Sequence, residues 1–186
     1  MQIVVLPPIH TFCINRAEME QNLKFEKVSY TQFCADAQKN GIFLTPAKMV
    51  EAYEGIELPK RATEGSAGYD FHSPFDLIIK PGTTSIFPTG IKAEMPKWIT
   101  LLIFIRSSLG IKRGLSLPNG VAVIDSDFYG NESNDGDITM ALRNGSDVEQ
   151  HILRGQAVAQ GVFVEYGKTD EDMAIGVRKG GIGSTT

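Results

Sequence analysis

The residues most able to do chemistry fall in three short stretches of a 186-residue chain. The first holds Asp125 and Asp127 at the end of an apolar run over 121–124. Side chains alternate along an extended segment, so both carboxylates are expected on one face. Such a pair can divide labour, one acting as general base toward water while the other coordinates or stays solvated. Acid-rich strand ends are also ordinary turn formers, and the pattern alone fits both. The second stretch is Arg106-Ser107-Ser108-Leu109-Gly110, directly after a strongly apolar run at 98–105. An arginine fork beside two hydroxyls suits phosphate oxygens. The same residues also suit a strand end closed by a surface ion pair. The third is the final stretch, RKGGIGSTT at 178–186. Its glycines free the backbone to fold around an anion, and Arg178, Lys179 and the hydroxyls of Ser184, Thr185 and Thr186 add donors. It is not a Walker A loop, because GxxxxGK[ST] is absent. Gly-rich termini are commonly loose, and this one reads as an arm able to close over a ligand. Together the three stretches describe a protein that binds a phosphorylated ligand, with a carboxylate available for its hydrolysis.

The elements that must position these residues differ along the chain. Leu23 to Val28 (LKFEKV) alternates like a strand. Ser29 and Gln32 have capping-box spacing before QFCADAQKN, which Gly41 stops. Thr45-Pro46 opens a second short helix, AKMVEAY, with Pro at its favoured first position. From Ile56 onward, short β-branched and aromatic runs alternate with Gly, Pro, Asn and Asp clusters, as at 76–80, 84–87 and 158–166. That spacing predicts an all-β sandwich or barrel. Pro118-Asn119-Gly120 reads as a hairpin turn leading into the strand before Asp125. The run at 98–105 is eight residues long; a membrane helix needs about 20, so it reads as a buried strand. The expected division is a helix-bearing extension at 1–55, with LKFEKV as a candidate first strand of the core, a β core at 56–177 and a Gly-rich arm at 178–186.

Composition narrows the classes further. Apolar residues make up 42% and charged residues 22%, ordinary for a globular protein. A net charge of −4 argues against a general nucleic-acid binder, which usually carries a basic face. The cations Arg106, Lys112, Arg113, Arg178 and Lys179 nevertheless lie near the three stretches, so a local anion site is compatible with the overall charge. Cys13 and Cys34 form no CxxC pair, and His10, His72 and His151 stand apart. Free thiols in a reducing cytosol are therefore expected rather than a zinc site. The start MQIVVLPPIH has neither the basic region nor the cleavage pattern of a signal peptide, which predicts a cytoplasmic protein with no membrane partner.

The same stretches, in order, resemble the five motifs of the trimeric dUTPase family. Ala67-Gly68-Tyr69-Asp70-Phe71 resembles the first and Arg106 to Gly110 the second. Gly120 to Gly130, carrying Ile124-Asp125-Ser126-Asp127-Phe128, resembles the third. Arg154-Gly155-Gln156-Ala157-Val158-Ala159-Gln160 resembles the fourth and the 178–185 stretch the fifth. Pro88-Thr89-Gly90-Ile91 also fits, and the likeness covers roughly residues 56–186. It implies an all-β, jelly-roll-like subunit in a homotrimer, with active sites at subunit interfaces and the arm of one chain reaching over a site built largely by its neighbours.

The resemblance also implies roles. Asp125 activates the attacking water and holds the deoxyribose 3′-hydroxyl. Phe128 packs under the sugar and leaves no room for a 2′-hydroxyl. The turn of Asn119, Gly120 and Val121 reads uracil. Arg106, Ser107, Ser108 and Gln160 hold phosphates. Arg178, like an arginine finger, closes the triphosphate end with Ser184 and Thr185, while Ile182 and Gly183 lie over the base. Tyr69 and Asp70 support the site. The ligand is dUTP, with Mg²⁺ carried on its triphosphate through water rather than by protein ligands. Three features depart from the family pattern: Ile182 where an aromatic ring usually stacks on the base, Ala157 where an arginine is usual, and an insertion at 131–136 (NESNDG) read as a surface hairpin or a partner-binding loop. The rival dCTP deaminase reading needs a glutamate within 138–142, where this chain has Ala141. A regulatory binding protein of this fold with weak or no hydrolysis is the other alternative.

Overall fold

The computed structural model describes residues 23–176, 178 and 180. Strand β1 (Lys24–Lys27) lies outside the family motifs, yet it pairs antiparallel with a core strand, Lys24 opposite Glu94 and Lys27 opposite Ile91. Helix α1 (Tyr30–Lys39) follows. Its cap forms as the spacing predicts, Ser29 Oγ accepting from Gln32 N at 3.1 Å. The reciprocal half does not form, because the Gln32 amide donates to Asp36 one turn later, at 3.0 Å. Helix α2 (Pro46–Glu54) begins with Pro46 in its first turn and Thr45 as its cap. Phe33, Ala37, Met49 and Ala52 are buried and belong to the same core as the strands. Phe33 stacks on Phe75 with centroids 5.4 Å apart. Burying one such ring contributes about 1.5–3 kcal/mol, so the helices are joined to the β core by packing as well as by sequence.

The remaining strands are β2 (Lys60–Arg61), β3 (Tyr69–His72), β4 (Leu77–Ile79), β5 (Thr84–Pro88), β6 (Ile91–Glu94) and β7 (Ile99–Ile105). Helix α3 (Ser107–Arg113) precedes β8 (Leu115–Ser116), β9 (Ala122–Ile124), a 3₁₀ turn (Ser126–Phe128), β10 (Thr139–Asn144), β11 (Gln150–Ile152) and β12 (Ala157–Glu165). They form antiparallel sheets in the orders β2-β3-β12-β7-β9, β5-β10-β8, β11-β4 and β1-β6. Alternation sets the faces: in β10, Met140, Leu142 and Asn144 point inward, and in β4, Leu77 and Ile79 do. The fold is the expected all-β, jelly-roll-like one with a helical segment before it.

Four local expectations are corrected. Trp98 lies outside β7 and is 42% exposed; the buried strand starts at Ile99. The Pro118-Asn119-Gly120 turn closes as expected, with Gly120 N donating to Leu117 O at 2.9 Å. It does not make a hairpin, because β8 pairs with β10 and β9 with β7. Buried Leu115 and Leu117 draw the entering strand into one sheet while β9 joins the other. Asp125 and Asp127 do not share a continuous extended segment, since the chain enters the 3₁₀ turn at Ser126. Finally, 131–136 is not a surface hairpin. Asn131, Asn134 and Gly136 are buried, and only Glu132 and Ser133 are exposed. Helix α3 was not anticipated; its signals are Leu109 as the buried anchor, Lys112 and Arg113 in its last turn and left-handed Gly114 at its end.

Candidate functional site

Arg106 stands where β7 gives way to α3. Its Nη1 donates to Asp70 Oδ2 at 3.0 Å. One arm of the fork thus closes the expected ion pair, and the side chain keeps 38% exposure. Asp70 lies opposite Gln160, which lies opposite Phe104 on the other side. Residues opposed across strands share a face, so Gln160 lies on the same face of the sheet as Asp70. Gly68 lets this happen. A Cβ there would meet Gln160 Oε1 at 2.6 Å, so a side chain at 68 would displace the amide. Ser107 and Ser108 are exposed on the first turn of α3. Tyr69 packs its ring against Phe25 and Phe163 and holds β3 rather than presenting its hydroxyl as a reactive group.

A second cluster forms where β9 ends. Asp125 and Asp127 are both about half-exposed. Arg178 spans them, its Nη2 donating to Asp125 and its Nε to Asp127 Oδ1 at 2.8 Å. Its guanidinium also stands 5.9 Å from the centroid of the Phe128 ring. The carboxylates that alternation predicted on one strand face are thus brought together by a guanidinium. The expected arm reaches toward neighbouring subunits, whereas here Arg178 rests on its own chain. Residues 182–185, which carry the remaining arm residues of the sequence reading (Ile182, Gly183, Ser184 and Thr185), lie outside the described residues.

The register separates the two clusters. Leu101 lies opposite Ile124 and Ile103 opposite Ala122. Thr100 Oγ1 donates to Ile124 O at 3.0 Å, so Asp125 leaves the sheet beside Thr100. Arg106 is six residues further along β7, roughly 20 Å away at the rise of a strand. The turn of Asn119, Gly120 and Val121 lies toward the Arg106 end. A cavity of about 70 Å³ lined by Ile56, His72, Ser73 and Gly155 includes none of these residues and is too small for a nucleotide.

Around Phe128 the sequence reading missed several supporting groups. Tyr129 donates to Glu26 on β1, and Lys92 stands 4.9 Å above its ring. The Glu26 bond pushes the Tyr129 phenol up to about 12, while Lys24 first and Tyr129 second hold Glu26 below the usual glutamate range. Asp137 is fully buried. Its Oδ1 accepts from Gly90 N at 2.9 Å, and its Oδ2 has no hydrogen-bond partner among the described residues. Burial, then the neighbouring Asp36, pushes its carboxyl well above the ordinary range; burial pushes Asp36 up as well. No group of three or more acid, His or Cys side chains with metal-binding geometry occurs among the described residues, and none of the described helices is long and apolar enough to cross a membrane.

Fold and site define a class: a β-fold protein with an arginine-and-hydroxyl group at one strand end and a carboxylate group at the other. The dUTPase family model matches residues 54–186. The deoxyuridine 5′-triphosphate nucleotidohydrolase of Lactococcus lactis is 44% identical over 133 residues, covering 70% of this chain and 89% of that protein. The Desulfitobacterium hafniense protein of the same name is 37% identical over 137 residues, covering 69% and 87%. Among solved structures, the dUTPase from Streptococcus mutans superposes with a TM-score of 0.62 at 34% identity, covering 78% of this chain and 98% of that one. The chain belongs to the dUTPase family.

Proposed function

We propose that the chain hydrolyses dUTP to dUMP and pyrophosphate, which limits uracil in DNA and supplies dUMP for thymidylate synthesis, at sites shared between subunits of a homotrimer in the cytoplasm. The observation that carries this is the Asp125–Phe128–Arg178 cluster: a solvent-accessible carboxylate and an aromatic ring on one short turn, with a guanidinium from the distant Arg178 laid against them. In this reading Asp125 orients a water and takes its proton as the water oxygen attacks the α-phosphorus in line. The bond to the bridging oxygen breaks and pyrophosphate leaves. Asp125 also holds the 3′-hydroxyl, and Phe128 lies against the sugar face where a 2′-hydroxyl would project. The turn of Asn119, Gly120 and Val121 reads the base through its backbone.

Arg106, Ser107, Ser108 and Gln160 hold phosphate oxygens. Arg178 leaves the two carboxylates for the developing charge, and Ser184 and Thr185 close the β/γ end with Ile182 and Gly183 above the base. The donor set suits Mg²⁺ carried on the triphosphate, because this ion keeps several waters and needs few protein ligands. When bound it neutralises phosphate charge; orientation and proton transfer remain with the side chains named. The roughly 20 Å between Arg106 and Asp125 along β7 supports a site shared between chains, since one chain holds its phosphate donors far from its base. The division into an extension at 1–55, a core at 56–177 and an arm at 178–186 belongs to the same reading, as does a protein partner at 131–136, which would meet Glu132 and Ser133. The test is pyrophosphate release from dUTP beside dCTP, dTTP and UTP, with and without Mg²⁺. Release from dUTP alone supports the reading. Silence with all four favours a binding role, and ammonia from dCTP favours the deaminase.

A further inference from the structure

We infer that Asn131, in the inserted segment, is a positioning residue that fixes Phe128 and thereby sets discrimination against a 2′-hydroxyl; this rests on the reading of Phe128 given above. Asn131 is 7% exposed. Its Nδ2 donates to Phe128 O at 2.8 Å and to Asn134 Oδ1 at 2.7 Å. Its Oδ1 accepts from Ser133 N, Ser133 Oγ and Asn134 N at 3.0, 2.8 and 3.2 Å. Asn134, also buried, donates to Asp137 O and accepts from Gly136 N. The amide side chains of the segment are therefore turned inward, that of Asn131 onto the backbone of the turn that carries Phe128 and that of Asn134 onto Asn131 and the backbone of 136–137. A brace uses them this way; a recognition loop would present them outward.

The closing strand of this brace touches the same backbone. Gly130 N donates to Asp135 O at 3.2 Å and Asp135 N to Asn131 O at 2.9 Å. Gly136 has φ 85, and a Cβ there would meet Phe128 O at 2.8 Å and Gly130 N at 3.0 Å. Only glycine both adopts this backbone and lets the segment lie so close under 128–130. Tyr129, held by Glu26, pins the next residue from the other side. Phe128 packs on the core at one edge and meets the Arg178 guanidinium, while its backbone is held by these bonds, so the position of its ring depends on them. A ring that excludes a single hydroxyl must be held to a fraction of an ångström, because overpacking is the only force rejecting the wrong sugar.

The experiment compares kcat/KM for dUTP and UTP in wild type, Asn131→Ala and Phe128→Ala, with circular dichroism and oligomer size as controls. The expected result is a fall in the dUTP-to-UTP ratio of about tenfold or more for Asn131→Ala, in the range that separates substrates differing by one group. Phe128→Ala should lower the ratio at least as far. A ratio within about twofold of wild type in Asn131→Ala, with both substrates slowed alike and Phe128→Ala collapsing the ratio, overturns the inference and leaves the Phe128 reading intact. An unchanged ratio in Phe128→Ala removes that reading and the inference with it. If Asn131→Ala does not fold, Asn131→Asp serves instead. It keeps the shape and the accepting oxygen but loses both donations of Nδ2, to Phe128 O and to Asn134 Oδ1, so the same fall is expected and an unchanged ratio again overturns the inference.

Discussion

Arg178 lays its guanidinium on the carboxylate of Asp125 while its Nε reaches Asp127 at 2.8 Å. Arg178 and the proposed base are thus each other's partner. Anionic phosphate would compete for the same fork, so ligand binding and release of Asp125 become one event. Lysine in place of Arg178 cannot span two carboxylates with a planar fork.

Asp125→Asn should lower kcat for dUTP by at least about a hundredfold, the scale of a lost general base. Nucleotide affinity should change much less, because asparagine still accepts a bond from the 3′-hydroxyl. Pyrophosphate release and equilibrium binding of dUTP check this together. Unchanged turnover would remove Asp125 from the mechanism.

Ending the chain at residue 177 should cut hydrolysis by about a hundredfold or more, since an arginine acting on transferred phosphate is worth 10³–10⁵ elsewhere. Oligomer size should not change, because the described strands all lie before the arm, the last ending at Glu165. Turnover is read by pyrophosphate release and assembly by light scattering. A truncated protein that turns over normally would show that the arm is no lid.

Much of this was legible in the sequence because it is local. The Ser29 and Thr45 caps, the strand before Arg106 and the turn at Gly120 each depend on a few adjacent residues. What was not legible depends on distant partners. The turn at 118–120 looks like a hairpin, and only the pairing of β8 with β10 shows it to be a corner between sheets. NESNDG reads as an exposed polar loop because its residue types are polar. Burial of Asn131 and Asn134 follows from backbone groups of Phe128 and Asp137 that composition does not reveal. Likewise Glu26 and Tyr129 are 103 residues apart, and no spacing rule joins them.

The buried pair of Asp36 and Asp137 predicts a stability that falls as pH rises. Both folded carboxyls are raised, so in the window above the usual carboxylate value the folded chain binds more protons than the unfolded one. The stability they contribute is present below that value and is lost as pH climbs through the folded ones. The groups facing them are Gln32, Lys39 and the backbone amides of Thr89 and Gly90, of which only Lys39 is a cation. Asp137→Asn keeps an acceptor for Gly90 N and offers Asp36 a donor. Its melting temperature should exceed that of wild type at pH 8, and the difference should shrink toward pH 4. Thermal melts across this range decide it, and parallel curves would show that the pair does not titrate with folding.

The separation of Arg106 from Asp125 along β7 yields a test of shared sites that needs no image of the assembly. Arg106→Ala removes a phosphate donor from one end of the strand, and Asp125→Asn removes the base from the other. Each variant alone should be nearly inactive. If every site takes Arg106 from one chain and Asp125 from another, refolding the two variants together in equal amounts regenerates some intact sites. Random mixing gives each site an even chance of either group, so about a quarter of wild-type activity should return in a closed symmetric ring. If both groups served the same site from one chain, no mixed site would be intact and activity would stay at the level of the separate variants. Recovery that scales with the product of the two fractions would also show that the arm's pairing with its own Asp125 is broken during turnover, because a regenerated site works only when that carboxylate is free to meet water.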